Sequence, residues 1–245
     1  MQTRVLEPLP ESTRRLLKVG GVTPFTATDY PGQLATVVFV QGCPWRCGYC
    51  HNPHLQERRA DSPLHWSRVK ELLERRVGLI DAVVFSGGEA TTDPALAEAM
   101  AETRALGFRI GLHSAGTYPQ RLATLLPLLD WIGLDIKAPF EHYRRITTVE
   151  GSGAAARASL EAVLASGVAY ECRTTLHPAL LAEAEILELA QTLAQMKVQN
   201  YALQVFRATG CQDAALNAAS TQGYPGTVLV QRVAALFRHF TLRRA

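Results

Sequence analysis

Three thiols crowd into eight residues, Cys43, Cys47 and Cys50, in the order C-x3-C-x2-C. A disulfide among them would leave one thiol over, so the spacing points to metal or redox chemistry in a reducing compartment. Gly42 and Gly48 allow the backbone to wrap a centre closely. Three ligands are one short of a closed site, because a structural zinc takes four and a ferredoxin-type cluster takes four cysteines. Cys172 and Cys211 are remote in sequence, and His51, beside Cys50, would have to turn back sharply to reach the same metal. Two readings stand: an iron–sulfur cluster with one iron open to a substrate, or a zinc site completed by His51 or a distant cysteine.

A loop of this kind needs a scaffold, and the chain supplies one in a regular alternation. Short β-branched apolar runs occupy 34–40, 82–85, 108–112, 131–136, 168–175 and 201–206. Helical spacing of apolar residues fills 65–77, 94–106, 119–129, 154–166, 181–196 and 227–240. Pro94 and Pro119 suit first helical turns, where a missing N–H costs nothing. Six strands alternating with helices predict an α/β fold with a parallel sheet, as an open barrel or a doubly wound sheet. The expected division is a short N-terminal extension, 1–18, and one domain, 19–245.

Polar and glycine-rich segments follow every predicted strand. The first runs into the cysteine loop, the second into Ser86-Gly87-Gly88-Glu89, and the third into His113-Ser114-Ala115-Gly116. The fourth runs into Asp135-Ile136-Lys137, the fifth carries Arg173, and the sixth leads to Arg207. In barrels and open α/β sheets that edge gathers ligands and catalysis, so an enzyme is expected.

Composition narrows the setting. With 245 residues and 47% hydrophobic content the chain can bury a substantial core, which excludes a disulfide-stapled mini-protein. The formal charge of +3 carries no dense basic block, and the arginine pairs are scattered, so no nucleic-acid partner is expected. No signal-length apolar run opens the chain and nowhere do eighteen apolar residues run together; a soluble, cytoplasmic protein without a membrane partner is the expectation.

The cysteine spacing with an aromatic before its last cysteine, followed by Gly-Gly-Glu at the next strand end, resembles the radical S-adenosylmethionine superfamily. Within it, Asp29-Tyr30-Pro31-Gly32, Val40 to Pro53, Ser86-Gly87-Gly88-Glu89 and Asp135-Ile136-Lys137 are similar to activating enzymes of glycyl-radical enzymes, notably that of anaerobic ribonucleoside-triphosphate reductase. The similarity runs from about residue 19 to about 240. It implies a partial (β/α)6 barrel in which Cys43, Cys47 and Cys50 hold a [4Fe–4S] cluster whose fourth iron takes S-adenosylmethionine. It further implies that backbone at Tyr49 meets the adenine, that Gly87 and Gly88 admit the methionine amino group, and that Asp135 and Lys137 lie along ribose and carboxylate. Reductive cleavage would give a 5′-deoxyadenosyl radical that takes a hydrogen from a glycine of a partner glycyl-radical enzyme, the electron coming from a flavodoxin- or ferredoxin-type donor. The alternative is a radical enzyme acting on another glycyl-radical enzyme, a peptide or a small molecule.

Several residues carry two readings. Arg173 pairs with the cofactor carboxylate or with an acid of the protein, and Ser114 bonds the ribose or caps its own turn. Glu89 touches the cofactor or only ties down its loop, and His51 meets the cofactor or orders the cluster loop through a hydrogen bond. Arg207 stands where related activating enzymes often place a histidine. Cys172 is expected in the core and Cys211 near the active edge as an inert thiol.

Overall fold

β-Branched and aromatic side chains in short runs favour a pleated surface covered on both faces, and the computed structural model, which describes residues 16–244, shows such a sheet. Its strands are β1 (Val19–Thr26), β2 (Ala35–Val40), β3 (Ala82–Gly87), β4 (Arg109–Ser114), β5 (Trp131–Asp135), β6 (Ala169–Leu176), β7 (Asn200–Val205) and β8 (His239–Arg243). They lie side by side in chain order, β1 antiparallel to β2 and all others parallel. The connecting helices are α1 (Trp66–Glu74), α2 (Leu96–Ala105), α3 (Pro119–Leu125), α4 (Tyr143–Thr147), α5 (Ser152–Ser166), α6 (Glu183–Gln195), α7 (Ala214–Ala218) and α8 (Thr227–Ala234).

The expected α/β partial barrel is present, with β2 to β7 as its six predicted strands. Two strands were not expected. β1 contains Gly20, Gly21 and Pro24, which weaken a strand signal, and it survives as an antiparallel edge. β8 corrects the long last helix, which stops at Ala234; His239–Arg243 instead pairs with β7, turning Phe240 and Leu242 toward the core. Pro119 does open α3, whereas Pro94 sits two residues ahead of α2, in a turn where Asp93 Oδ1 accepts the Ala95 N–H at 2.9 Å. Of the expected extension, residues 1–15 lie outside the described residues.

Side chains alternate across each strand. One set, including Val38, Val40, Val83, Phe85, Ile110, Leu112, Ile132, Leu134, Cys172 and Leu203, packs under the helices in the main core. The other set faces the concave side, where Tyr30, Val37, Val84 and Trp131 plug the lower half. Tyr30 stacks on Trp131 with ring centroids 5.1 Å apart. Above this plug the same inward positions turn polar: His113 on β4, Asp135 on β5, Arg173 and Thr175 on β6, Gln204 on β7. The barrel is therefore dry below and charged above.

Candidate active site

The cysteine loop is pinned by backbone. Gly42 and Cys43 donate to the carbonyls of Leu55 and Gln56 at 2.7 and 3.0 Å, Arg46 N–H to Thr147 O at 3.0 Å, and Cys50 N–H to Cys47 O at 3.1 Å. Trp45, buried beside the loop, meets Tyr143 edge-on at 5.8 Å. All three cysteines are half-buried and unpaired. Burial pushes the Cys43 thiol up to about 12, and it raises Cys47 as well. Thiols in this setting become thiolates only beside a strong local positive charge, which is what iron would supply.

Cys43, Cys47, Tyr49, Cys50 and His51 share one cleft of about 170 Å³ with Gly87, Gly88, Ser114, Asp135, Lys137 and Arg173. Eleven of the thirteen expected site residues thus meet in one place, drawn from five strand ends. The cleft shares His51, His113, Asp135, Arg173 and Thr175 with a wider outer chamber of about 660 Å³. Arg207 lines that chamber and not the cleft; Arg243 and Arg244 line the chamber too.

Glu89 is not a lining residue. It is 1% exposed, and its carboxylate accepts Thr91 Oγ–H at 2.7 Å, Ser114 Oγ–H at 2.9 Å and the N–H groups of Ala115 and Thr91 at 2.9 and 3.2 Å. It ties the end of β3 to the end of β4, as the second of its two readings has it. Burial raises its pKa, against the pull of those donors. Ser114 lines the cleft while bonding Glu89 and accepting the Gly116 N–H at 3.0 Å, so it caps its own turn.

Gly87 and Gly88 are required by the protein's own backbone. A Cβ on Gly87, where φ is +121°, would stand 2.3 Å from Val40 N and O; one on Gly88 would stand 2.5 Å from Gly42 O. Gly88 N–H donates to Val40 O at 2.9 Å and Glu89 N–H to Gly42 O at 2.7 Å, so the motif splices β3 to the cysteine loop.

The far wall is ionic. Arg173 Nε and Nη2 both reach Asp135 Oδ1 at 3.0 Å, and its guanidinium lies against Gly133, where a Cβ would fall 2.6 Å from Cζ. Lys137 Nζ stands 3.8 Å from Asp135 Oδ2 and 5.4 Å from the centre of the Tyr49 ring. Burial disfavours the Asp135 charge, but Arg173, Lys137 and His113 outweigh it and hold the carboxyl below its ordinary range. Burial likewise opposes the Lys137 charge and is outweighed by Tyr49, Cys47 and Asp135, which keep the ammonium protonated. Tyr143 OH accepts the Lys137 N–H at 2.9 Å, fixing the turn beyond β5.

His51 is neutral, its pKa lowered by burial, and Nε2–H donates to Arg207 O at 3.0 Å while the ring stacks on Phe206. It fastens the end of the cysteine loop to the end of β7, and it also lines the cleft. His113 went unrecognised as a site residue. Its Nε2–H donates to Asp29 O at 2.7 Å, and burial, with Arg173, lowers its pKa to about 4, leaving a neutral ring on the shared wall. Strand periodicity held the signal: with Leu112 packed outward, the next residue must face inward. Cys172 is in the core as expected, and Cys211 is buried with its thiol 3.5 Å from Gly48 O.

Among the described residues no three His, Cys, Asp or Glu side chains converge tightly enough to hold a single metal ion. The donor set, three soft thiols without disulfides and one open side facing the cleft, fits a [4Fe–4S] group.

Among known proteins, the model of the Radical SAM superfamily matches residues 37–196. A Methanocaldococcus jannaschii protein assigned as a glycyl-radical enzyme activating enzyme is 28% identical over 205 residues, covering 80% of this chain and 82% of its own. The pyruvate formate-lyase-activating enzyme of Clostridium pasteurianum is 33% identical over 114 residues, 44% of this chain and 48% of its own. The crystal structure of QueE from Escherichia coli superposes with a TM-score of 0.57 at 16% identity, covering 94% of both chains, which shows the shared fold. No helix among the described residues is long and apolar enough to cross a membrane.

Proposed function

This chain belongs to the radical SAM superfamily and is an enzyme of that chemistry, and we propose that it activates a glycyl-radical enzyme, anaerobic ribonucleoside-triphosphate reductase foremost. The observation that carries the reading is the convergence of three half-buried thiols and the ionic wall on one cleft that opens into a wider chamber. Relatives with activating-enzyme names support it, one of them over most of both chains.

In this reading Cys43, Cys47 and Cys50 hold the [4Fe–4S] cluster. When bound, the cluster supplies the electron that breaks the sulfonium C–S bond of S-adenosylmethionine, giving methionine and a 5′-deoxyadenosyl radical for abstraction of a glycine hydrogen. Lys137, charged and 9% exposed, takes the methionine carboxylate. Arg173 holds Asp135 ionised and oriented on the cleft wall, where its carboxylate would meet the ribose. Gly87 and Gly88 present backbone to the amino group, Tyr49 backbone to the adenine, and Ser114 a hydroxyl at the rim of the cleft. Glu89 and His51 act by position, holding the strand ends that carry these groups. Arg207 faces whatever enters the chamber. Residues 19–245 form the working domain after an extension, 1–18, and the proposed setting is cytoplasmic, with a flavodoxin- or ferredoxin-type donor and no nucleic acid.

The test is anaerobic. Cluster-loaded, reduced protein with S-adenosylmethionine should yield 5′-deoxyadenosine, and with the reductase present a glycyl-radical signal in electron paramagnetic resonance. Cleavage without a signal on any glycyl-radical partner would overturn the activase reading while keeping the superfamily chemistry.

A further inference from the structure

We propose that Arg207 and Arg244 form an acid-selecting subsite in the outer chamber, which takes a carboxylate side chain that the substrate polypeptide carries close to its reacting glycine. The inference rests on the reading of this chain as an activating enzyme with a protein substrate. It deepens that reading by naming the chemistry of the segment that enters.

The chamber is lined from both ends of the sheet. Thr28 and Asp29 belong to the turn beyond β1, the first strand, while Arg243 ends β8, the last, and Arg244 follows it. β7 contributes Gln204, which pairs with Arg243 in the parallel register, and the segment after β7 contributes Arg207. Arg207 and Arg244 therefore stand just past the C-terminal ends of two neighbouring strands. Arg207 is also tied to the cleft, because its carbonyl accepts the His51 Nε2–H at 3.0 Å and His51 lines both spaces.

The pairing of charges leaves this side of the chamber positive. Asp135 is held by Arg173 at 3.0 Å, and the two oxygens of Glu171 accept from Arg243 at 2.7 and 2.9 Å. Asp29, beyond β1, accepts the Thr26 Oγ–H at 2.6 Å. Arg244 directs its fork to neutral carbonyls, Tyr224 O at 3.2 Å and Pro225 O at 3.4 Å, so its charge is held in place without a counterion. Arg207 is exposed and pairs with no acid among the described residues. The walls of a recess keep the field of such charges from spreading into bulk water. A guanidinium is weakly hydrated and its fork matches the two oxygens of a carboxylate, which favours pairing there. The carboxylate of S-adenosylmethionine is not the ligand, because Lys137 lines the cleft and neither Arg207 nor Arg244 does. Thr175 and Gln204 line the same chamber and offer neutral hydrogen-bonding groups to the amides of an extended chain. Each extended residue spans roughly 3.3–3.6 Å, so an acid a few positions from the glycine reaches Arg207 while the glycine stays at the cleft.

The experiment measures fluorescence anisotropy of labelled, glycine-containing peptides on the cluster-loaded protein with S-adenosylmethionine present. The peptides carry Glu, Gln or Lys at one position, which is moved stepwise away from the glycine on either side. At the best position the Glu peptide should bind about tenfold tighter than the Gln peptide at low salt, with the gain shrinking as salt rises. Arg207→Gln should level the Glu and Gln peptides, and Arg244→Gln should narrow the difference by a smaller factor. Arg207→Glu should reverse the order in favour of Lys, a reversal that an unfolded variant could not give. Equal affinity for the Glu and Gln peptides at every position, or a Glu preference that survives Arg207→Glu, would overturn the subsite. So would failure of every peptide to bind protein that still cleaves S-adenosylmethionine. Absence of 5′-deoxyadenosine from wild-type protein with dithionite would instead strike the functional reading, and the order of peptide affinities, read without turnover, would still judge the subsite.

Discussion

The near wall of the cleft, made by the ends of β2, β3 and β4, and the far wall, made by β5 and β6, are held by different forces. On the near wall the contacts are backbone on backbone, with Gly87 and Gly88 spliced against Val40 and Gly42, and one buried carboxylate, Glu89, saturated by neutral donors. On the far wall Asp135, Lys137 and Arg173 hold one another by charge. The first arrangement fixes shape and tolerates no added atom. The second fixes charge and can rearrange when a charged ligand arrives. A site that must seat a rigid cluster and a zwitterionic cofactor needs both.

Replacing Cys47 by Ala should produce the largest effect: loss of the cluster's visible absorbance together with all cleavage of S-adenosylmethionine. A variant retaining turnover would remove the near wall's chemical purpose. Next, Gly88→Ala should cost at least about 3 kcal/mol of stability, or roughly 6–12 °C in thermal midpoint, because its Cβ meets two backbone carbonyls. A midpoint within 2 °C of wild type by circular dichroism would show that shape is not what holds this wall.

Lys137→Ala should do the reverse, weakening S-adenosylmethionine binding by about 10- to 100-fold with little change in thermal midpoint. Unchanged affinity in equilibrium dialysis would place the cofactor elsewhere. The smallest effect separates the two carboxylates by pH. The folded-state pKa of Asp135 is depressed, so its pairing stabilises the fold fully above about pH 4 and is lost as pH falls through the lowered value. That of Glu89 is raised, so its contribution declines as pH climbs from about 4.5 through the raised value. Asp135→Asn should flatten the acid limb of a stability–pH curve and Glu89→Gln the limb above it. If either variant flattens the other's limb, charge and shape are not divided as described.

The near wall was the more legible in sequence. Cysteine spacing and Gly-Gly-Glu stand out as motifs, and the apolar runs of β2 to β7 announce a parallel sheet. What they did not reveal was use: the glycines serve backbone packing, and Glu89 serves the splice, because a motif names residues and not the atoms they face. His113 was hidden for a simpler reason: alternation along β4 turns it inward, but no motif marks a single histidine in an apolar strand. β1 and β8 were missed because edge strands bury one side at most, and Val233, Phe237 and Phe240 mimic helical spacing across a turn.

Gly133 is not among the residues that line the cleft, yet it decides the cleft's polarity by the arginine it seats. The Arg173 guanidinium occupies the space that any other residue at 133 would fill. A survey of all substitutions would flag this position through lost function more than through lost stability, because the flexible end of the arginine can move aside to make room. The defect would register across the strand, as an arginine displaced and a carboxylate stripped of its counterion. The absence of a methyl group on β5 works here as the lock on an ion pair, and through that pair on the charge a cofactor would meet.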